Sequence, residues 1–180
     1  LDILDTRCAL KLCATPQAVA DGITVLDVSV SCRDAAYTIL DIGPGRCRGV
    51  GIVDYSSVAP VGGANSTGAD GIALENPMDI PILRRVRVDG AAGDGIDIKG
   101  AAIMEDVTAV NCTRQTIKVW GKKGDPSQFV RCRGYDSGMG GMCNAGDIYM
   151  EDCYFEGGTA NSTAFFWGVG KVYDPQKVDQ

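Results

Sequence analysis

The sequence predicts an all-β fold, a single-stranded right-handed parallel β-helix (solenoid) of about seven coils. Three observations lead there. First, four segments, Leu83–Val88, Met104–Ala109, Phe129–Gly134 and Met150–Phe155, repeat one another. Val86, Val107, Cys132 and Cys153 mark steps of 21, 25 and 21 residues, a period suited to stacked coils. Second, each unit holds only short β-branched runs punctuated by Gly, Asn and Asp, and no window carries an apolar helical stripe. Third, Arg85, Asp106, Arg131 and Asp152 alternate in sign between the inward columns. In-register parallel strands bring such residues within about 4.8 Å, where opposite charges support the register and like charges oppose it. The right hand follows from the general rule for parallel crossovers.

Taken in order, Arg7-Cys8-Ala9-Leu10, Asp27-Val28-Ser29-Val30 and Gly49-Val50-Gly51-Ile52 extend the pattern at steps of 20 and 22. From Val50 to Val86 the step is 36, which places an inserted loop at about 56–69, rich in Gly, Pro and Ser. Beyond it, Leu83, Met104, Phe129 and Met150 form one inward column, and Val86, Val107, Cys132 and Cys153 another. A second set of strands points Ile72/Leu74, Ile96/Ile98, Ile117/Val119 and Cys143/Ala145 inward. The polar tail at about 171–180 caps the last coil or packs outside it. Residues 1–180 thus read as one domain.

Composition narrows the function. Twenty-four glycines and 7% aromatics suit many tight turns around a narrow interior. The net charge of −6 argues against a nucleic-acid surface and is compatible with cation binding. No run of about 18 apolar residues is long enough to span a membrane. The chain lacks an initiating Met and a signal peptide, as expected of a processed or excised product. Its eight cysteines and the sequons at Asn65, Asn111 and Asn161 suit a secreted, disulfide-bonded glycoprotein. The alternative is that the inward cysteines are small core residues; Cys132 and Cys153 would stack on adjacent coils at a separation that a disulfide allows.

With no histidine, Ser–His and Cys–His catalysis and the usual zinc spacings are excluded. The second strand set offers the most convergent polar face. Its outward ladder reads Ala73, Asp97, Lys118 and Asn144, beside Glu75, Lys99 and Trp120. Such a strip can hold a sugar chain, the indole stacking on a ring and the lysines neutralising uronate carboxylates. The alternative is cross-coil pairing, Asp97 with Lys118 and Glu75 with Lys99, on a solvated face. Gly93-Asp94-Gly95-Ile96-Asp97-Ile98 resembles a single nonapeptide calcium repeat, or else a tight turn in which Asp94 binds backbone amides.

Ala69-Asp70-Gly71-Ile72, followed by Arg85-Val86-Arg87-Val88-Asp89-Gly90-Ala91-Ala92-Gly93-Asp94-Gly95-Ile96-Asp97-Ile98-Lys99, resembles the core of small secreted pectate lyases. In that family an A-D-G-[VI] coil precedes N-V-x-W-E-D-V-x-E-D-A-x-T-x-K. The resemblance is close within Ala69 to Lys99 and implies a pectate-lyase-like right-handed β-helix. It implies calcium held by Asp89 and Asp94, with Gly90 and Gly93 standing where the family has further acids. Lys99 matches a lysine of the family's cleft, and Lys118 and Arg133 stand loosely for its downstream lysine and arginine, which makes these three the implied catalytic residues of β-elimination. From the polar ladders, Glu75, Asp97, Trp120 and Asn144 would line the substrate strip.

The expected function is an extracellular or virion- or cell-surface module contacting acidic polysaccharide, with lyase chemistry open to it. The rival is a non-catalytic structural or adhesive piece of a fibre, tailspike or cell-wall assembly that associates with itself or with a larger fibre.

Overall fold

The computed structural model describes residues 1–6, 10–33, 38–60, 69–121, 124–158 and 163–167. The expected tail at 171–180, positions 61–68 of the expected loop, Cys8, and the sequons at Asn65 and Asn161 lie outside them. All regular structure among the described residues is β. The first rung is β1 (Asp2–Thr6), β2 (Leu10–Leu12) and β3 (Val19–Asp21). The second holds β4 (Thr24–Cys32), β5 (Leu40–Ile42) and β6 (Arg46–Arg48). The third is β7 (Gly51–Val58) and β8 (Ile72–Leu74), the fourth β9 (Ile82–Ala91) and β10 (Ile96–Ile98). The fifth is β11 (Ile103–Cys112) and β12 (Ile117–Val119). The sixth holds β13 (Ser127–Val130), β14 (Arg133–Tyr135) and β15 (Gly141–Cys143), the seventh β16 (Ile148–Glu151), β17 (Tyr154–Phe155) and β18 (Phe165–Trp167).

These strands stack into two long parallel sheets, one ordered β1-β4-β7-β9-β11-β13-β16 with β14 and β17 beside it, the other β2-β5-β8-β10-β12-β15-β18. A short third face pairs β3 with β6. The result is a parallel β-solenoid. Its complete turns number about five rather than seven, because the end rungs belong to partial turns.

The inward columns are where the sequence places them. Leu83, Met104 and Phe129 are buried, as are Val86, Val107 and Cys132, in the register Leu83↔Met104↔Phe129. Each aliphatic side chain so buried contributes about 1.5–3 kcal/mol. On the last rung Met150 is exposed and Cys153 only half-buried, since no described coil lies beyond them.

Three details differ from expectation. The N-terminal coils are longer: Val28 pairs with Tyr55 and Tyr55 with Val86, so Val50 is not the counterpart of Val86. Ser29–Ser31 face Asp2–Leu4 rather than the segment at Arg7–Leu10. β7 continues through Ser56 and Ser57 to Val58, so the chain leaves the sheet later than Ser56.

The alternating charges also mark bends, within or between strands, rather than regular extended positions. Asp27, Asp54, Arg85, Asp106, Arg131 and Asp152 all have φ between 51° and 55°, a left-handed corner at which each long strand bends from one face to the next. Asp tolerates that region through its short polar side chain, whereas Arg rarely adopts it. Here both arginines are clamped by a neighbouring coil: Arg85 Nε and Nη2 donate to Asp54 at 2.5 and 2.8 Å, Arg131 to Asp106 at 2.7 and 3.0 Å. These hydrogen bonds hold the carboxyls of Asp54 and Asp106 below the ordinary range.

The seven described cysteines are free thiols, and no pair stands at disulfide distance. Cys132 and Cys153 do stack on adjacent coils, Tyr154 N–H donating to Cys132 O, but they pack as core groups. Burial pushes the Cys112 and Cys132 thiols up to about 12, which leaves them protonated and poor nucleophiles.

Candidate functional site: a buried acid–lysine cluster and an axial cleft

Asp-Gly-Ile occurs at Asp21-Gly22-Ile23, Asp70-Gly71-Ile72 and Asp94-Gly95-Ile96, and in the last two copies β8 and β10 pair Ile72 with Ile96. One coil therefore stacks on the next and sets the two aspartates one rung apart. Asp94 N–H donates to Asp70 Oδ1 at 2.7 Å. The outer face of β10 and β12 adds Asp97 opposite Lys118. Among the described residues, Asp70, Asp94 and Asp97 form a buried carboxylate triad, one oxygen from each lying within 4.8 Å of the others.

Lys118 closes the triad. Its Nζ donates to Asp94 Oδ2 at 2.8 Å and to Asp97 Oδ2 at 3.1 Å. Lys99 Nζ donates to Asp97 Oδ2, and Trp120 Nε1 to Asp97 Oδ1 at 3.0 Å. The indole lies over both ammonium groups, 4.9 Å from Lys99 Nζ and 5.2 Å from Lys118 Nζ. Arg114 approaches Asp94 at 3.7 Å from the solvent side. The expected cross-coil pair of Asp97 and Lys118 is present, but this face is not solvated: Asp97 is 3% and Lys118 6% exposed. Lys99 turns to Asp97 on the adjoining strand rather than to Glu75.

The charges balance if Asp70 keeps its proton, leaving two carboxylates against two ammonium groups. Burial, with the Asp94 and Asp97 charges beside it, raises Asp70 to about 7. For Lys118, burial alone would lower the pKa, but Asp97 and Asp94 outweigh it and hold the amine above its ordinary value. Glu75, half-buried on the neighbouring coil, is also raised, chiefly by burial.

The Asp70 value has a measurable consequence. An unfolded aspartate titrates near 3.9, so between about pH 4 and 7 the native state holds the extra proton. That contribution is fully present below pH about 4 and is lost as pH rises through about 7. Asp70→Asn keeps an oxygen for Asp94 N–H and removes the charge. The variant should match the parent near pH 4 and exceed it at pH 8 by on the order of 2–4 kcal/mol, since each tenfold change in proton affinity is worth about 1.4 kcal/mol. Urea unfolding at the two pH values tests this, and an unchanged pH slope would count against it.

The donor set does not fit calcium. That ion takes six to eight oxygens at about 2.3–2.6 Å. Here Asp94 and Asp97 give Oδ2 to Lys118, Asp94 Oδ1 accepts Gln115 N–H at 3.1 Å, and Asp97 Oδ1 accepts Trp120. Two ammonium groups already sit among these oxygens. Asp89, the other acid expected to bind the ion, is on β9 in the opposite sheet. It accepts Arg87 Nη2 at 2.8 Å and Asn111 Nδ2 at 2.7 Å.

Of the expected site residues, the fold brings together Asp94, Asp97, Lys99, Lys118 and Trp120, with Glu75 beside them. Arg133 is exposed on β14, in the other sheet. Asn144 is not opposite Lys118: Met142 is, because Cys143 rather than Ala145 continues from Val119. Asn144 N–H instead donates to Val119 O, beside Trp120. Asn111 is half-buried at φ 55°, and its amide donates to Asp89 Oδ1 at 2.7 Å. The spacing of strands gives Asp70 no role, and the signal that marks it is the return of Asp-Gly-Ile one coil later, at Asp94.

Next to Lys99 a cleft of about 310 Å³ opens on the third face. Arg46 from the second coil, Asn76, Pro77 and Asp79 from the third, Lys99 and Gly100 from the fourth, and Gly121 and Asp125 from the fifth line it. Cys47 bridges Pro77, and Gly121 N–H donates to Gly100 O, so these residues are stacked. At about 4.8 Å per rung the cleft extends about 14 Å along the axis.

The chain matches no family model, no curated protein and no solved structure.

Proposed function

We propose that this chain is a surface or extracellular β-solenoid module of pectate-lyase-like kind, which holds an acidic polysaccharide along the third-face cleft. The observation that carries this reading is the cleft's axial run over four coils. A linear polymer lies along such a trough, its repeats meeting similar backbone on successive rungs. Cations (Arg46, Lys99) and acceptors (Asn76, Asp79, Asp125) share its walls, as a sugar bearing both carboxylate and hydroxyls requires. The fold supports the resemblance at the level of architecture, and Lys99 both lines the cleft and reaches Asp97 of the triad.

Binding rather than elimination is favoured by the state of Lys118. Removing a proton from a uronate needs an amine free of its own proton, and the triad holds Lys118 protonated. Lys118 therefore acts as a fixed cation.

Calorimetric titration with polygalacturonate and alginate should give saturable, salt-sensitive binding, with none to neutral dextran and no ultraviolet absorbance from unsaturated uronates. Absence of heat with both acidic polymers would remove the reading. A growing absorbance would replace it with lyase activity based on Lys99. The structural alternative rests on the last described rung, where Tyr149, Tyr154, Phe166 and Trp167 are about half exposed beside open strand edges.

A further inference from the structure

We infer that Arg46 is the residue that reads the polymer's carboxylate, so that the cleft is a uronate subsite; this rests on the polysaccharide reading above. Several other arginines of the described fold are committed. Arg84, Arg85, Arg87, Arg114 and Arg131 have carboxylates within 3.7 Å, and Arg48 stands 4.0 Å from Asp21. The Arg46 guanidinium lines the cleft, is exposed, and makes no hydrogen bond or ion pair among the described residues. Only its backbone is engaged: its N–H donates to Ala18 O at 2.9 Å, and its carbonyl accepts the Cys13 thiol at 3.5 Å.

The acids in the cleft do not neutralise it. Asp79 accepts Gly49 N–H at 3.0 and 3.1 Å, and Asp125 has a partner of its own. Lys99, two rungs along and about 10 Å away by the strand spacing, is turned toward Asp97. Among the described residues of the cleft, Arg46 is therefore the cation left for a ligand. Its planar fork matches a carboxylate bidentately. Pro77, Gly100, Ala101 and Gly121 supply a smooth floor for the C–H face of a ring, and Asn76 and Asp79 serve its hydroxyls.

The experiment titrates tetragalacturonate, its methyl ester and dextran sulfate into the parent chain, Arg46→Met, Arg46→Lys and Arg84→Met. Arg46→Met keeps the stem and should weaken tetragalacturonate binding tenfold or more. Arg46→Lys keeps the charge but loses the fork and should fall between. Arg84→Met, on the opposite sheet, should bind as the parent does, and the methyl ester should bind weakly to all four. Thermal unfolding checks that each variant is folded. If the parent binds tetragalacturonate and Arg46→Met binds it equally, the assignment of Arg46 fails while the polysaccharide reading stands. Equal binding of the methyl ester would overturn carboxylate recognition, and preference for dextran sulfate would reassign the subsite to tetrahedral anions. If the parent binds none of them, both readings fall.

Discussion

Lys118→Met should destabilise the fold by about 3–5 kcal/mol, the usual consequence of removing one member of a buried ion pair. Methionine keeps most of the packing volume, so what is lost is the ammonium. Without it, Asp94 Oδ2 and Asp97 Oδ2 face each other out of water. Asp97 retains Lys99, and Asp94 retains only half-exposed Arg114 at 3.7 Å. A further result identifies the charge as the cause. The Lys118→Met/Asp94→Asn double variant should lose less than the sum of the single changes, because the stranded charge goes with the lysine. Denaturant unfolding measures the parent, both single variants and the double variant. A loss below about 1 kcal/mol, typical of an exposed pair, would mean that the ladder is solvated after all.

Gly121→Ala should cost about 2–5 kcal/mol and distort the cleft. Gly121 sits at φ 65° where the fifth coil leaves β12, and a methyl there would run into the carbonyl of Ala145 on the next coil. The left-handed backbone accounts for about 1–2 kcal/mol, and forced displacement of a packed neighbour for about 1–3 kcal/mol more. Gly124→Ala isolates the first contribution. Gly124 has φ 90° with no atom within 4 Å of the added methyl, so only backbone strain should appear. Thermal unfolding compares the two variants, and equal losses would show that the close approach of the coils carries no weight.

Much of the solenoid can be read from the chain because its signals are local or strictly periodic. With Val86, Val107 and Cys132 at equivalent points of a short repeat, stacking is the way left to bury so small a unit. Alternation in Ile96-Asp97-Ile98 and Ile117-Lys118-Val119 identifies the inner side. The N-terminal register is harder to read. Longer coils there put Tyr55, not Val50, against Val86. Valine and tyrosine are both good strand residues, so the slip carries no local penalty. The left-handed corners are hidden for a different reason. Arg85 and Arg131 are poor markers of positive φ, and their conformation is held by carboxylates on other coils.

Residue type at fixed spacing is enough to set the period, the parallel stacking, the apolar columns and the pairing of Asp97 with Lys118. Other features wait on coils that are distant in the chain. These are the charges that leave water, the oxygens that Lys118 occupies, the described cysteines that remain thiols, and the meeting of Arg46 and Lys99 along one cleft. A period of two says which side of a strand a residue takes but not what lies over that side. Burial and charge balance depend on groups delivered by other coils, and those meet only when the solenoid closes.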